Sequence, residues 1–131
     1  MKYLIDSDWI IDALTGVSSA IDTLKDLQPD GLAVSVISMA EVFEGAHHSA
    51  DPGARLAEIR WLLGGYVVLD VTESIGERFA QECATLRRQG RMISDLDLLI
   101  AATALTRGLT LVRRNLQHFE RIQNLSLYRD S

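Results

Sequence analysis

The apolar residues of this chain fall into two rhythms. Short runs at Lys2–Ile5, Leu32–Val36, Tyr66–Leu69 and Leu109–Val112 predict buried strands. Between them the apolar positions recur every three or four residues, the helical period. Ser7–Leu14 predicts a first helix, ended by Gly16. Ile21, Leu24 and Leu27 predict a second, closed by Pro29-Asp30-Gly31. Ser38–His48 carries Met39, Val42, Phe43 and Ala46 at helical spacing, and Asp51-Pro52-Gly53 reads as a break. Leu56, Ile59, Leu62 and Leu63 follow on a helix that stops at Gly64 and Gly65. Thr72–Arg88 is longer, with Ile75, Phe79, Cys83 and Leu86 inward. Asp95–Thr106 is so rich in Leu and Ala that it predicts a helix buried on most sides, ended by Gly108.

Strands that alternate with helices imply a parallel sheet covered on both faces, a three-layer α/β/α arrangement. Four strands are predicted, and Leu125–Tyr128 is a candidate fifth. A length of 131 residues suits one domain with one real core. In such folds a site lies beyond the carboxyl ends of the strands. Asp6 follows the first strand directly. Ser38 and Glu41 follow the second, and Arg113–Asn115 follow the fourth. Asp97 starts the helix that leads into the fourth.

Charge changes this picture only when it is read by halves. The net charge is −5, which argues against a nonspecific nucleic-acid binder. Residues 1–65 hold 4 Lys and Arg against 10 Asp and Glu, whereas residues 66–131 hold 9 Arg, no Lys and 8 Asp and Glu. The second half thus offers guanidinium groups, which suit phosphate geometry. No apolar run approaches the roughly 20 residues of a membrane span. Asp6, Asp8 and Asp12 interrupt any signal-peptide pattern. Cys83 stands alone, so no internal disulfide is available. This fits a reducing cytoplasm, and the thiol reads as buried packing. There is no P-loop, no dinucleotide fingerprint and no nucleophile elbow, and His47 and His48 lack zinc-site spacing.

The candidate chemistry lies in three acidic motifs. Asp6, Glu41 and Asp97 each stand at the edge of an apolar element. Singly, each has a plain explanation. Ser38-x-x-Glu41 and Ser94-x-x-Asp97 have the form of capping boxes, and Asp6 or Ser7 suits the cap of the first helix. Jointly, three acids converging on one sheet edge would repel one another unless something positive sat between them. A hard divalent cation with oxygen ligands is the usual answer. On that view, neutralising Asp6 or Asp97 relieves repulsion in metal-free protein.

These residues resemble a known family. Leu4 to Asp12, with Asp6 ending a strand and Ser7 after it, is similar to the opening of PIN-domain nucleases of the VapC toxin type. Val36 to Gly45 resembles the second family motif, with its acid at Glu41. Ile93 to Ala104 resembles the third, with its acid at Asp97. Gly108 to Ile122 resembles the closing motif. Order and spacing agree over nearly the whole chain. Four positions depart from the pattern. Asp8 stands where Asn is common, and Arg113 where Thr is usual. His118 replaces an acid or basic residue. Asn115 takes the place of a fourth acid found in many PIN nucleases.

The resemblance implies a PIN-like fold and a Mg²⁺-dependent endoribonuclease, with Mn²⁺ an alternative ion. It implies Asp6, Glu41 and Asp97 as metal ligands, Asn115 as a fourth catalytic group, and Ser7 and Asp95 as accessory groups. Arg113 and Arg114 are the candidate RNA-phosphate contacts. It also implies a homodimer and a VapB-type antitoxin. Trp9, Ile10 and Phe43, on the helices after the first two strands, are candidate anchors for it or, equally, core residues. Two other readings stay open. A catalytically inactive PIN domain would only bind RNA or a partner. A haloacid-dehalogenase-type phosphatase would use Asp6-Ser7-Asp8 as its D-x-D motif, with Asp6 the nucleophile.

Overall fold

A computed structural model describes residues 1–130. Four strands, β1 (Tyr3–Ile5), β2 (Leu32–Ser35), β3 (Val67–Leu69) and β4 (Thr110–Val112), form one parallel sheet in the order β3-β2-β1-β4. Helices α1 (Ser7–Leu14) and α2 (Ser18–Leu27) connect β1 to β2. Helices α3 (Val36–His47) and α4 (Pro52–Leu63) connect β2 to β3, and α5 (Glu73–Arg88) and α6 (Asp95–Arg107) connect β3 to β4.

Alternation along β1 divides the core. Tyr3 and Ile5 pack with Val34 and Val112 against Trp9 and Ile10 of α1, Leu24 of α2, Val42 of α3 and Ile59 of α4. Leu4 points the other way, with Ala33 and Leu111, toward Leu86 of α5 and Leu98 and Ala101 of α6. Both faces are therefore dry along β1 and β2, which read as continuous apolar runs for that reason, whereas Val67 and Val68 of the edge strand β3 are exposed. Crossovers between parallel strands are right-handed. The chain moves outward from β1 to β3 and then returns to place β4 on the far side of β1. That reversal sends four helices to one face and two to the other.

The boundaries expected from sequence hold to within a residue or two, with three informative differences. Helix α3 begins at Val36, not Ser38, because Ser35 at the end of β2 is the cap and accepts the Ile37 N–H at 3.1 Å. Asp51-Pro52 is a helix start rather than a break. Asp51 caps α4 by accepting from Ala54 N, and Pro52 takes the first-turn position that needs no N–H. The candidate fifth strand is reduced to one parallel bridge, Leu111 with Leu127, in which Leu111 exchanges two 2.9 Å hydrogen bonds with the Ser126 carbonyl and Tyr128 N–H.

Leu111 lies beside Leu4 across the β1–β4 pairing and is fully buried. Leu111→Ala is expected to lower stability by about 3 kcal/mol. Urea unfolding should show a lower midpoint with an unchanged slope.

Candidate active site

The switch in strand order places the ends of β1 and β4 side by side, and the Asp6 N–H donates to the Val112 carbonyl there at 3.1 Å. Asp6 is the cap of α1 and is 1% exposed. A carboxylate so deep must have its oxygens met. Oδ1 accepts from the Ser7 N–H at 2.7 Å and from the Ser38 hydroxyl at 2.9 Å. Oδ2 accepts from Arg113 Nη1 at 2.6 Å. Ser38 is therefore a partner of Asp6, not the cap residue its spacing to Glu41 suggests.

Asp97 stands in the first turn of α6. Ser94 caps this helix by accepting the Asp97 N–H at 3.3 Å, as its position predicts. The Asp97 side chain does not return to the cap. Its Oδ1 accepts from the same Arg113 Nη1 at 2.9 Å. One guanidinium nitrogen thus lies between carboxylates contributed by α1 and α6. The guanidinium also rests over the Phe119 ring, 4.7 Å from its centre, and its Nε is buried without a partner among the described residues. Burial pulls the Arg113 pKa down, but Asp6 and then Asp97 outweigh it and the net shift is upward.

Glu41, on the second turn of α3, completes the acidic edge. The Ser7 hydroxyl donates to its Oε1 at 3.4 Å, and it has no cationic hydrogen-bond partner among the described residues. Glu41 is exposed at the rim, but partial desolvation of its carboxyl pushes the pKa up first, followed by the charge of Asp6, with Asp97 adding to the effect. The oxygen-only donor set of these acids suits a hard divalent cation. As they stand, no three His, Cys, Asp or Glu side chains among the described residues are drawn together closely enough to enclose an ion. Arg113 supplies the central positive charge instead.

The remaining candidates separate. Asp95 is exposed at the start of α6 and makes no hydrogen bond to the three acids among the described residues. Asn115 is exposed, and its Oδ1 accepts the Gln117 N–H at 3.2 Å, which shapes the closing loop. Arg114 is exposed and already paired with an acid. Its Nε and Nη2 reach Asp12 Oδ2 at 3.1 and 2.9 Å, and its guanidinium lies 3.7 Å from the centre of the Trp9 ring. Arg113 is likewise engaged by carboxylates, so both candidate phosphate contacts hold acidic partners in this structure. Asp8 holds this loop in place by accepting from the Arg114 and Trp9 N–H groups, each at 2.8 Å. Burial pushes the Asp8 pKa up despite those bonds, and Asp6 adds to the rise.

Trp9 and Ile10 are 2% and 0% exposed, so they are core residues and not surface anchors. Phe43 is half-buried beneath the Arg60 guanidinium. Sequence reasoning missed the roles of Ser38 and Arg113. The signal available for Arg113 was its departure from the Thr usual at that place in the closing motif.

Comparison with known proteins identifies the family. Residues 3–125 match the PIN domain family. Ribonuclease VapC2 of Haemophilus influenzae is 32% identical over 122 residues, 93% of this chain and 92% of its own. The tRNA(fMet)-specific endonuclease VapC of Shigella flexneri is 29% identical over 125 residues, 95% of each chain. Among solved structures, VapBC2 from Rickettsia felis bound to a promoter DNA fragment superimposes with a TM-score of 0.90, at 26% identity and 98% coverage of each chain. With a VapC ribonuclease similar to it along nearly its whole length, this chain belongs to the VapC branch of the PIN-domain family.

Proposed function

We propose that this protein is a divalent-metal-dependent endoribonuclease and the toxin of a toxin–antitoxin pair. The observation that carries this reading is the meeting of Asp6 and Asp97 at a single point, with Glu41 beside them, at the switch point of the sheet. Asp6, Asp97 and Glu41 would hold Mg²⁺ or Mn²⁺ through carboxylate oxygens. Such an ion supplies Lewis-acid stabilisation of charge developing on the scissile phosphate. The chain's own groups prepare that site. Ser38 and the Ser7 N–H fix the Asp6 carboxylate, and the Ser7 hydroxyl orients Glu41. The N-termini of α1 and α6 favour negative charge where Asp6 and Asp97 sit.

The named relatives are ribonucleases, and one is an endonuclease specific for tRNA(fMet), which supports RNA as the substrate class. The resemblance to VapBC assemblies supports a VapB-type antitoxin as partner. A homodimer and a cytoplasmic location belong to the same reading. No helix among the described residues is long and apolar enough to cross a membrane. With Trp9 and Ile10 in the core, the antitoxin would meet their exposed neighbour Ile11, which lines a groove of about 190 Å³ with Leu14, Val42 and Ile59. Phe43 stays a candidate on the adjoining face of α3.

The phosphatase reading falls. The match to the PIN domain family excludes it, and the second acid of its motif, Asp8, serves two backbone amides rather than the site. The inactive binding module retains one specific argument, the arginine lodged between Asp6 and Asp97.

Asp6→Asn and Asp97→Asn are each expected to reduce RNA cleavage at least 100-fold, a loss of about 3 kcal/mol of transition-state stabilisation or more. Excess EDTA should silence the wild type. Cleavage at the wild-type rate in either variant, or in EDTA, would remove the metal-nuclease assignment.

Stability in metal-free buffer should separate the acids. Asp6→Asn leaves Arg113 with one partner and a buried site short of negative charge. It is expected to destabilise by about 2 kcal/mol, not to relieve repulsion. Glu41 behaves oppositely. Its folded-state pKa lies above the ordinary 4.5, so the folded protein releases this proton less readily than the unfolded chain. Stability is lost as pH rises through that window, and the loss persists above it. Glu41→Gln should therefore raise the thermal midpoint at pH 7, with the gain vanishing as the pH falls below 4.5. A gain that is independent of pH would show that Glu41 carries no such penalty.

A further inference from the structure

Arg113 reaches the acids in an unusual manner. Arginine commonly meets carboxylates through two parallel nitrogens. Here one nitrogen, Nη1, serves Asp6 Oδ2 at 2.6 Å and Asp97 Oδ1 at 2.9 Å. It acts as a point charge between two oxygens, the arrangement a bound cation adopts. The rest of the side chain is lightly tied. Its Nε has no partner among the described residues, and its planar group lies on the Phe119 face. The loop that carries it is anchored elsewhere, by Asp8 to the Arg114 N–H and by Asp12 and Trp9 to the Arg114 side chain. Arg113 is also 24% exposed, so a route to solvent is open. The contacts that hold the loop lie on Arg114 and Asp8, not on the Arg113 guanidinium.

We propose that Arg113 is a built-in, displaceable counter-ion that competes with the divalent cation for Asp6 and Asp97, so that the ion enters only as the guanidinium leaves. This rests on the metal reading above. Both cations need the same two oxygens, and they repel each other at that distance. The arginine therefore sets a threshold. If the arginine-out state is about 1% populated, apparent metal affinity falls about 100-fold below its intrinsic value. A chain with a neutral residue at this place would lack the threshold.

The test uses the full chain freed of metal by chelation and titrated with Mn²⁺ by calorimetry, with thermal midpoints recorded in parallel. Arg113→Met is expected to have a lower midpoint without metal, to bind Mn²⁺ about tenfold tighter or more, and to gain more from saturation than the wild type. Arg114→Met removes an equal charge from the next position without vacating the pocket, and should stay within about threefold of the wild type. Equal or weaker binding by Arg113→Met would overturn the proposal. So would an equal tightening by Arg114→Met, which would reveal an effect of net charge or of loop anchoring in place of competition for the two oxygens.

Wild-type protein provides a second measurement that does not depend on folding of a variant. The Arg113 guanidinium NMR signals should pass from restricted to freely rotating as Mg²⁺ saturates the site. Signals that stay restricted at saturation would overturn the exchange. Mn²⁺ binding to neither wild type nor Arg113→Met would remove the metal reading and this inference together, whereas equal binding to both removes this inference alone.

Discussion

Two carboxylates brought to one point at the end of a parallel sheet must be met by positive charge. At about 4 Å, in a partly buried site, like charges repel by about 4 kcal/mol, a large share of the stability of a small domain. Asp6 cannot escape, because it is 1% exposed and follows β1 without a spacer. Asp97 cannot turn away without losing its partner. The chain meets the charge from within, through Arg113 at the end of β4. Phe119 gives the guanidinium a floor, and Ser38 and the Ser7 N–H occupy the oxygen that Arg113 does not reach.

Topology makes this meeting unavoidable. The order β3-β2-β1-β4 reverses direction at β1, and right-handed crossovers then bring α1 and α6 to opposite faces of the same edge. Each helix begins there, so each presents its positive end. An acid that caps one helix and an acid in the first turn of another are locally favourable choices. Together they make a site. The capping explanation and the catalytic explanation of Asp6 are therefore not rivals, because the cap holds the carboxylate where chemistry would need it.

The sheet was legible because its central strands are buried on both faces. Runs such as Tyr3–Ile5 and Leu32–Val34 carry no charged interruption, and the glycines and capping residues between them mark the turns. The three acids were legible because the parallel α/β pattern assigns them to one edge. Side-chain direction was not. Ser38 stands three residues before Glu41 and reads as a cap, yet the strand ends early enough for Ser35 to take that role. Trp9 and Ile10 suited a partner's anchor or the core equally on pattern alone, and the inner face of α1 fills the core over Ile5. The Asp6–Arg113 pair spans 107 positions, and no local pattern announces it.

Arg113 and Arg114 illustrate the same limit. In sequence they are equivalent, two arginines beyond a strand and near an acidic pocket. They follow β4 directly, where the chain leaves the strand and bends at Arg114, and their side chains part. Arg113 turns inward to Asp6 and Asp97, and Arg114 turns outward to stack on Trp9 and pair with Asp12. The consequence for substrate is electrostatic. Three acids with Arg113 among them leave the pocket net negative. A divalent ion in the arginine's place would lower that excess, and an arginine kept near the rim would cancel it. On the proposed exchange the pocket would move toward neutrality as the ion enters. An RNA phosphate, which a bare carboxylate triad would repel, would then meet a site whose charge no longer opposes its approach.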